Sequence, residues 1–190
     1  MAFHIHRDID ALWIGLGVVW FAGALFGKQT ARRQSASSRL LHIGLGVLAF
    51  VLMFTKALRY GPLAWTFVPR TPATTYTGLA LTLAGIAFAI WARFFLGGNW
   101  SATVTVKQDH SLVRSGPYAI VRHPIYSGFL LALVGTAIAF RHAQGLAAVA
   151  IALITWRLKS RLEESFMREQ FGEQYVQYQR EVKALVPFVW

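Results

Sequence analysis

Tyr118, Arg122, His123 and Tyr126 lie close together in the stretch Ser115-Gly116-Pro117-Tyr118-Ala119-Ile120-Val121-Arg122-His123-Pro124-Ile125-Tyr126-Ser127-Gly128, between two long apolar runs. Gly116-Pro117 breaks the backbone and His123-Pro124 breaks it again, because each proline fixes its own φ and moves the preceding residue out of the α region. The result is a stiff loop carrying a phenol, a guanidinium, an imidazole and a second phenol at the mouth of an apolar helix. These groups can position a charged ligand at a membrane surface. The same types also make an ordinary interfacial loop, with tyrosine as belt residue and arginine as topology signal. A second charged run follows the last apolar stretch: Arg157, Lys159, Arg161, Glu163 and Glu164. On a helix Arg157 and Arg161 share a face, while Lys159 points away from it. The two acids also suit the first turn of a helix that begins there.

Composition says what body holds these groups. Of 190 residues 55% are hydrophobic and the formal charge is +11. That is too apolar for a soluble domain of this size. The bases flank apolar runs, so anionic lipid and membrane topology account for them, and no nucleic-acid partner is expected. The chain has no cysteine, which excludes disulfides, thiolate metal sites and a cysteine nucleophile. Its six histidines are scattered without metal-ligand spacing, His4 and His6 forming only a weak pair, so no metal is expected.

The apolar pattern predicts about five membrane helices in a single domain: 11–27, 40–58, 76–96, 125–140 and 146–158. Residues 1–10 are polar and lack the features of a removable signal peptide. Residues 28–39 read as a basic, serine-rich connector, 63–75 as an interfacial loop, and 99–114 as a short strand and turn. Residues 161–182 read as a separate polar helix with Phe171, Tyr175 and Tyr178 on one face. With the N-terminus outside, Arg7, Lys56, Arg59, Arg70 and Arg141 face outward, and the remaining 14 of the 19 Lys and Arg residues face inward. The 97–124 loop, the mouth of the fourth and fifth helix hairpin and the C-terminal helix then share the cytoplasmic face.

Gly116-Pro117-Tyr118, Arg122-His123-Pro124-Ile125-Tyr126 and Gly128 together resemble the core motif of the isoprenylcysteine carboxyl methyltransferase family. Asn99-Trp100-Ser101 with His110-Ser111-Leu112-Val113 resembles its upstream segment. Arg161-Leu162-Glu163-Glu164, Phe171-Gly172-Glu173, Tyr175, Tyr178 and Val186-Pro187-Phe188 resemble its C-terminal signature. The resemblance covers residues 97–190; the first 96 match only as hydrophobic spans. It implies an all-α integral membrane enzyme that transfers a methyl group from S-adenosyl-L-methionine to a carboxylate of a lipid-like or isoprenylcysteine-type acceptor. The cofactor positions it implies are His110, Ser111, Leu112, Val113, Tyr118, His123, Pro124, Ile125 and Tyr126, with a glutamate of the Glu163-Glu164 pair. A base facing the acceptor is implied among Arg157, Lys159 and Arg161. Arg161 is favoured, with Arg157 behind it, and Arg122 of the motif completes the catalytic candidates.

The same C-terminal frame also occurs in phospholipid N-methyltransferases and in NADPH-dependent sterol-type reductases. Five spans leave little room for a sterol cavity. An amine acceptor would need an acidic group, for which Glu163 or Glu164 is available. A non-catalytic membrane subunit satisfies only the span count. The small, basic, cysteine-free chain with short loops suggests a bacterial or archaeal inner membrane, with a lipid-like or lipidated acceptor.

Overall fold

The computed structural model describes residues 2–24, 30–33, 35–97, 105–107 and 112–187. Among the described residues six α-helices carry the fold: α1 (Ala2–Ala24), α2 (Ala36–Phe54), α3 (Pro72–Leu96), α4 (Pro124–Phe140), α5 (Ala143–Phe171) and α6 (Glu173–Glu181). Their ends follow local chemistry. Ser35 caps α2 by accepting a hydrogen bond from the Ser38 amide. Thr71 and Thr74 form a reciprocal cap ahead of α3, with Pro72 in its first turn. Pro124, which has no N–H to leave unsatisfied, opens α4 behind His123.

Several boundaries differ from the sequence expectation, with α2 and α3 each beginning four residues early. α1 begins at Ala2, so the polar residues before Ala11 continue the helix. The fifth apolar run and the polar helix after it are one helix of 29 residues, since Arg, Leu, Lys and Glu at 157–164 favour helix and nothing there breaks it. The break falls at Gly172, whose φ of 53° suits glycine, and divides Phe171 from Tyr175 and Tyr178. In the expected strand region, Thr105–Lys107 forms β2, which pairs antiparallel with β1 (Thr30–Arg33) from the basic connector. Asn99, Trp100, Ser101, His110 and Ser111 lie outside the described residues.

α3 and α4 pack backbone to backbone. Gly85 faces Gly128 and Gly78 faces Gly135, and a Cβ added at Gly85 would stand 2.4 Å from the Ala132 nitrogen. Small residues let helices approach this closely where water provides no driving force between them. The seam also holds buried hydroxyls: Thr82 and Thr136 are 3.2 Å apart, and Trp13 Nε1 donates to Thr136 at 3.0 Å. Ile9, Leu16, Met53, Ile86 and Leu133 fill the core around it.

Outward, α1 and α2 expose Ile14, Val18, Phe21, Leu40, Ile43 and Val47, an apolar girdle suited to lipid. By length and composition α2 and α3 are able to cross a membrane, and α4 is an apolar helix of 17 residues. Four of the five cations expected outside, Lys56, Arg59, Arg70 and Arg141, border a common cavity at one end of the bundle. The Pro-broken loop, the second half of α5 and α6 meet at the other end.

Candidate active site

Two contacts fix the Pro-broken loop. Gly116, with φ 58°, turns against the ring of Phe95. Tyr118 is buried, reaches the Ala92 carbonyl at 3.4 Å, and accepts on its own carbonyl from the Tyr178 hydroxyl at 2.5 Å. The chain after α6 then runs alongside the motif. The Arg122 amide donates to the Lys183 carbonyl at 2.8 Å, the His123 amide to Ala184 at 3.0 Å, and Ser127 Oγ to Leu185 at 2.5 Å. This strap satisfies backbone groups that the proline break leaves without helix partners.

Glu164, only 6% exposed, is the hub of the site. Its Oε1 accepts from Arg122 Nη2 at 2.6 Å and Nε at 2.9 Å, and faces His123 Nε2 at 3.1 Å. Its Oε2 accepts from Gln179 Nε2 at 2.9 Å. Arg122 Nη1 donates in addition to the carbonyls of Gln179 and Val182. Glu163 faces His123 Nδ1 at 3.3 Å and accepts from the Tyr126 hydroxyl. Carboxylates only accept, so an imidazole set between two of them carries both protons. Burial works against that charge, but the hydrogen bonds to Glu163 and Glu164 outweigh it and hold the His123 pKa above its ordinary value. Burial likewise works to raise Glu164, yet His123 and Arg122 bring it down to about 2. Glu163 is lowered too: burial opposes the shift, and the His123 hydrogen bond and the Lys159 charge outweigh it.

An aromatic stack continues from His123. Its ring lies 5.6 Å from that of Tyr126 at 10°, and Tyr126 lies 6.1 Å from Trp156 at 6°. Lys159 Nζ stands 5.3 Å from the centre of the Tyr126 ring, a cation on an aromatic face. Trp156, Lys159 and Glu163 recur at helical spacing and so share one side of α5, while Ser160 and Glu164 are buried on the adjacent side.

The structure thus brings together Tyr118, Arg122, His123, Pro124, Tyr126, Glu163 and Glu164 from the expected set. Ile125, Leu112 and Val113 are half-buried nearby in sequence. Arg157 lies within electrostatic reach of Arg161, Glu164 and Arg122, and Arg161 itself is exposed. Arg122, a catalytic candidate from sequence, is engaged with Glu164 and the backbone carbonyls of Gln179 and Val182. Sequence reasoning missed Gln179, the 183–185 strap and the placement of Lys159 over Tyr126. The four-residue spacing of Lys159 and Glu163 was the available signal for the last of these.

The structure is thus a helical bundle with an apolar girdle and a charged cluster enclosed at one end. The sequence model of the Isoprenylcysteine carboxyl methyltransferase (ICMT) family matches residues 78–169. The chain is 34% identical over 117 residues to protein-S-isoprenylcysteine O-methyltransferase B of Arabidopsis thaliana, covering 59% of this chain and 58% of the relative. It is 32% identical over 130 residues to the Homo sapiens protein-S-isoprenylcysteine O-methyltransferase, covering 66% of this chain and 45% of the relative. The chain therefore spans about half the length of these curated relatives. A solved structure of the eukaryotic intramembrane Ras methyltransferase ICMT superposes with a TM-score of 0.54 at 26% identity, over 84% of this chain and 55% of that one. These plant and human relatives lend no support to the bacterial or archaeal setting suggested by composition.

Proposed function

We propose that this chain is an S-adenosylmethionine-dependent carboxyl methyltransferase of the membrane, acting on a lipid-like or isoprenylcysteine-type acceptor. The observation that carries the reading is the buried Arg122–His123–Glu163–Glu164 cluster beside the His123–Tyr126–Trp156 stack, all within the region matched by the family. These residues fit the cofactor chemically. Carboxylates of Glu163 or Glu164 suit its ammonium and ribose hydroxyls, and Tyr126 already holds an ammonium, that of Lys159, against its face. His110, Ser111, Leu112, Val113, Tyr118, His123, Pro124 and Ile125 complete the proposed cofactor positions. When bound, the cofactor supplies a methyl group on a positively charged sulfur, which a carboxylate accepts by in-line displacement without needing a strong base. The chain's residues hold and align the two partners and exclude water, and orientation of this kind contributes up to about 7–11 kcal/mol in favourable cases.

In this reading Arg122 and His123 position the glutamates, and Arg161, exposed at the rim, steers the acceptor carboxylate with Arg157 behind it. Arg161→Ala is expected to leave cofactor affinity within about threefold while methyl transfer falls at least about tenfold, or 1.4 kcal/mol of transition-state stabilisation. Calorimetric titration of S-adenosylmethionine beside NADPH, with a radiolabelled transfer assay on an acidic isoprenylated acceptor, measures both. Binding of NADPH in place of S-adenosylmethionine refutes the proposed activity. Equal loss of binding and turnover in the variant moves Arg161 into the cofactor site.

The proposed arrangement has five membrane spans, within α1, α2, α3, α4 and the first half of α5 (146–158), with the N-terminus outside and the site facing the cytoplasm. Ser37→Cys and Gln177→Cys, both at exposed positions of this cysteine-free chain, are expected to label only from the cytoplasm, and Ala57→Cys only from the other face. Labelling of positions 37 and 177 from opposite faces rules the arrangement out.

A further inference from the structure

At the end of the bundle away from the glutamates, charge of one sign collects around a cavity of about 230 Å³. Lys56, Arg59, Arg70 and Arg141 line it, with His6 and His142 beside them. These residues come from three places in the chain: the start of α1, the connection between α2 and α3, and the turn between α4 and α5. Two backbone hydrogen bonds and one from a side chain hold the last two together. The Phe67 amide donates to the Arg141 carbonyl at 3.0 Å, the Ala143 amide to Trp65 at 2.8 Å, and His142 Nδ1 to the Ala64 carbonyl at 3.1 Å. Arg59 Nε donates to Gln144 Oε1 at 3.3 Å, which fixes the root of its guanidinium.

Arg141 is the C-cap of α4, and the turn into α5 places it at the cavity. Its φ is 66°, a left-handed conformation that glycine or asparagine adopts more readily. Among the described residues no carboxylate lines the cavity, and the charge of Asp10 acts on His6 beside it. Like charges that line one cavity repel, and the charge of Arg141 acts on Arg59. An anion in the cavity relieves that repulsion, and guanidinium forks suit phosphate oxygens.

The surroundings indicate where the phosphate comes from. Tyr60 and Trp65 flank the site 74% and 64% exposed, as aromatic residues do at the level of lipid headgroups. The apolar outer faces of α1 and α2 lead away from it toward the middle of the bundle. We propose that this cavity binds the phosphate of an anionic phospholipid headgroup, at the membrane face opposite the candidate active site.

Lys56→Gln with Arg70→Gln tests this, since both side chains are exposed and their removal leaves the core intact. Arg168→Gln with Arg180→Gln removes two exposed cations from the other end as a control. The full-length proteins, in detergent, are titrated with phosphatidylglycerol, phosphatidylcholine and inorganic phosphate while bound lipid is counted by native mass spectrometry and melting is followed. Wild type and the control pair are expected to retain phosphatidylglycerol over phosphatidylcholine, and the Lys56/Arg70 pair to bind it roughly tenfold to thirtyfold more weakly. Equal retention by all three proteins, or equal loss in both pairs, overturns the site in favour of unspecific surface charge. Stabilisation by inorganic phosphate equal to that by phosphatidylglycerol overturns the lipid as its source.

Discussion

Replacing Glu164 with alanine is expected to cost about 3–5 kcal/mol of stability, the range for removing one partner of a buried ion pair. The carboxylate ties three parts of the chain at once: the motif loop through Arg122 and His123, its own helix α5, and α6 through Gln179. Without it two cations stay enclosed with only Glu163 for compensation. The exposed Arg114–Glu181 pair provides an internal comparison, and Glu181→Ala is expected to change stability by no more than about 1 kcal/mol. A second variant separates holding the fold from holding a ligand. Arg122→Met with Glu164→Leu removes both charges and keeps apolar volume, so much of the stability is expected to return. Binding of S-adenosylmethionine is expected to stay lost. Melting in detergent and calorimetric titration measure the two effects. If Glu164→Ala melts like Glu181→Ala, the cluster does not join the loop to α6, and the proposed site loses its frame.

The motif loop was legible in sequence because prolines act locally. Gly116, Pro117 and Pro124 set the backbone wherever the rest of the chain goes, and the structure keeps both breaks. Charged residues in an apolar chain were equally visible, and Arg122, His123, Glu163 and Glu164 do converge. Partner choice across some 40 residues was not visible, since charge alone allows Glu164 to meet Arg161 or Arg157 as readily as Arg122. The continuous run of α5 was missed because a change from apolar to charged residues was read as a boundary, whereas helices end where the backbone requires it, here at Gly172. The strap of Lys183 to Leu185 bonds through backbone atoms and leaves no side-chain pattern to read. The glycines at 78, 85, 128 and 135 stood in the sequence at seven-residue spacing, but one helix alone does not reveal which neighbour it approaches.

That glycine seam sets up the second large effect. Gly128→Ala is expected to destabilise the protein by about 1–3 kcal/mol, the cost of adding a methylene group to a packed interior. The new Cβ would stand 2.7 Å from both the Ala89 nitrogen and the Gly85 carbonyl oxygen, and backbone atoms cannot rotate aside as a flexible side chain does. α4 must therefore move off α3 near its N-terminal end, which carries Pro124 and Tyr126 and follows directly on His123. Tyr126 is held between His123 and Trp156 and against Glu163, so displacement there opens the stack and the cluster together. A shift of about 1 Å in an aligned site costs roughly a hundredfold in rate, so methyl transfer is expected to fall by about that factor. Gly44→Ala makes the same chemical change on α2 with nothing within 4 Å of the new methyl. It is expected to be neutral or to stabilise by about 0.5–1 kcal/mol, because alanine favours helix over glycine. Both variants are compared by melting, by cofactor titration and by transfer rate. If the two behave alike, backbone contact between α3 and α4 is not what holds the candidate active site in place.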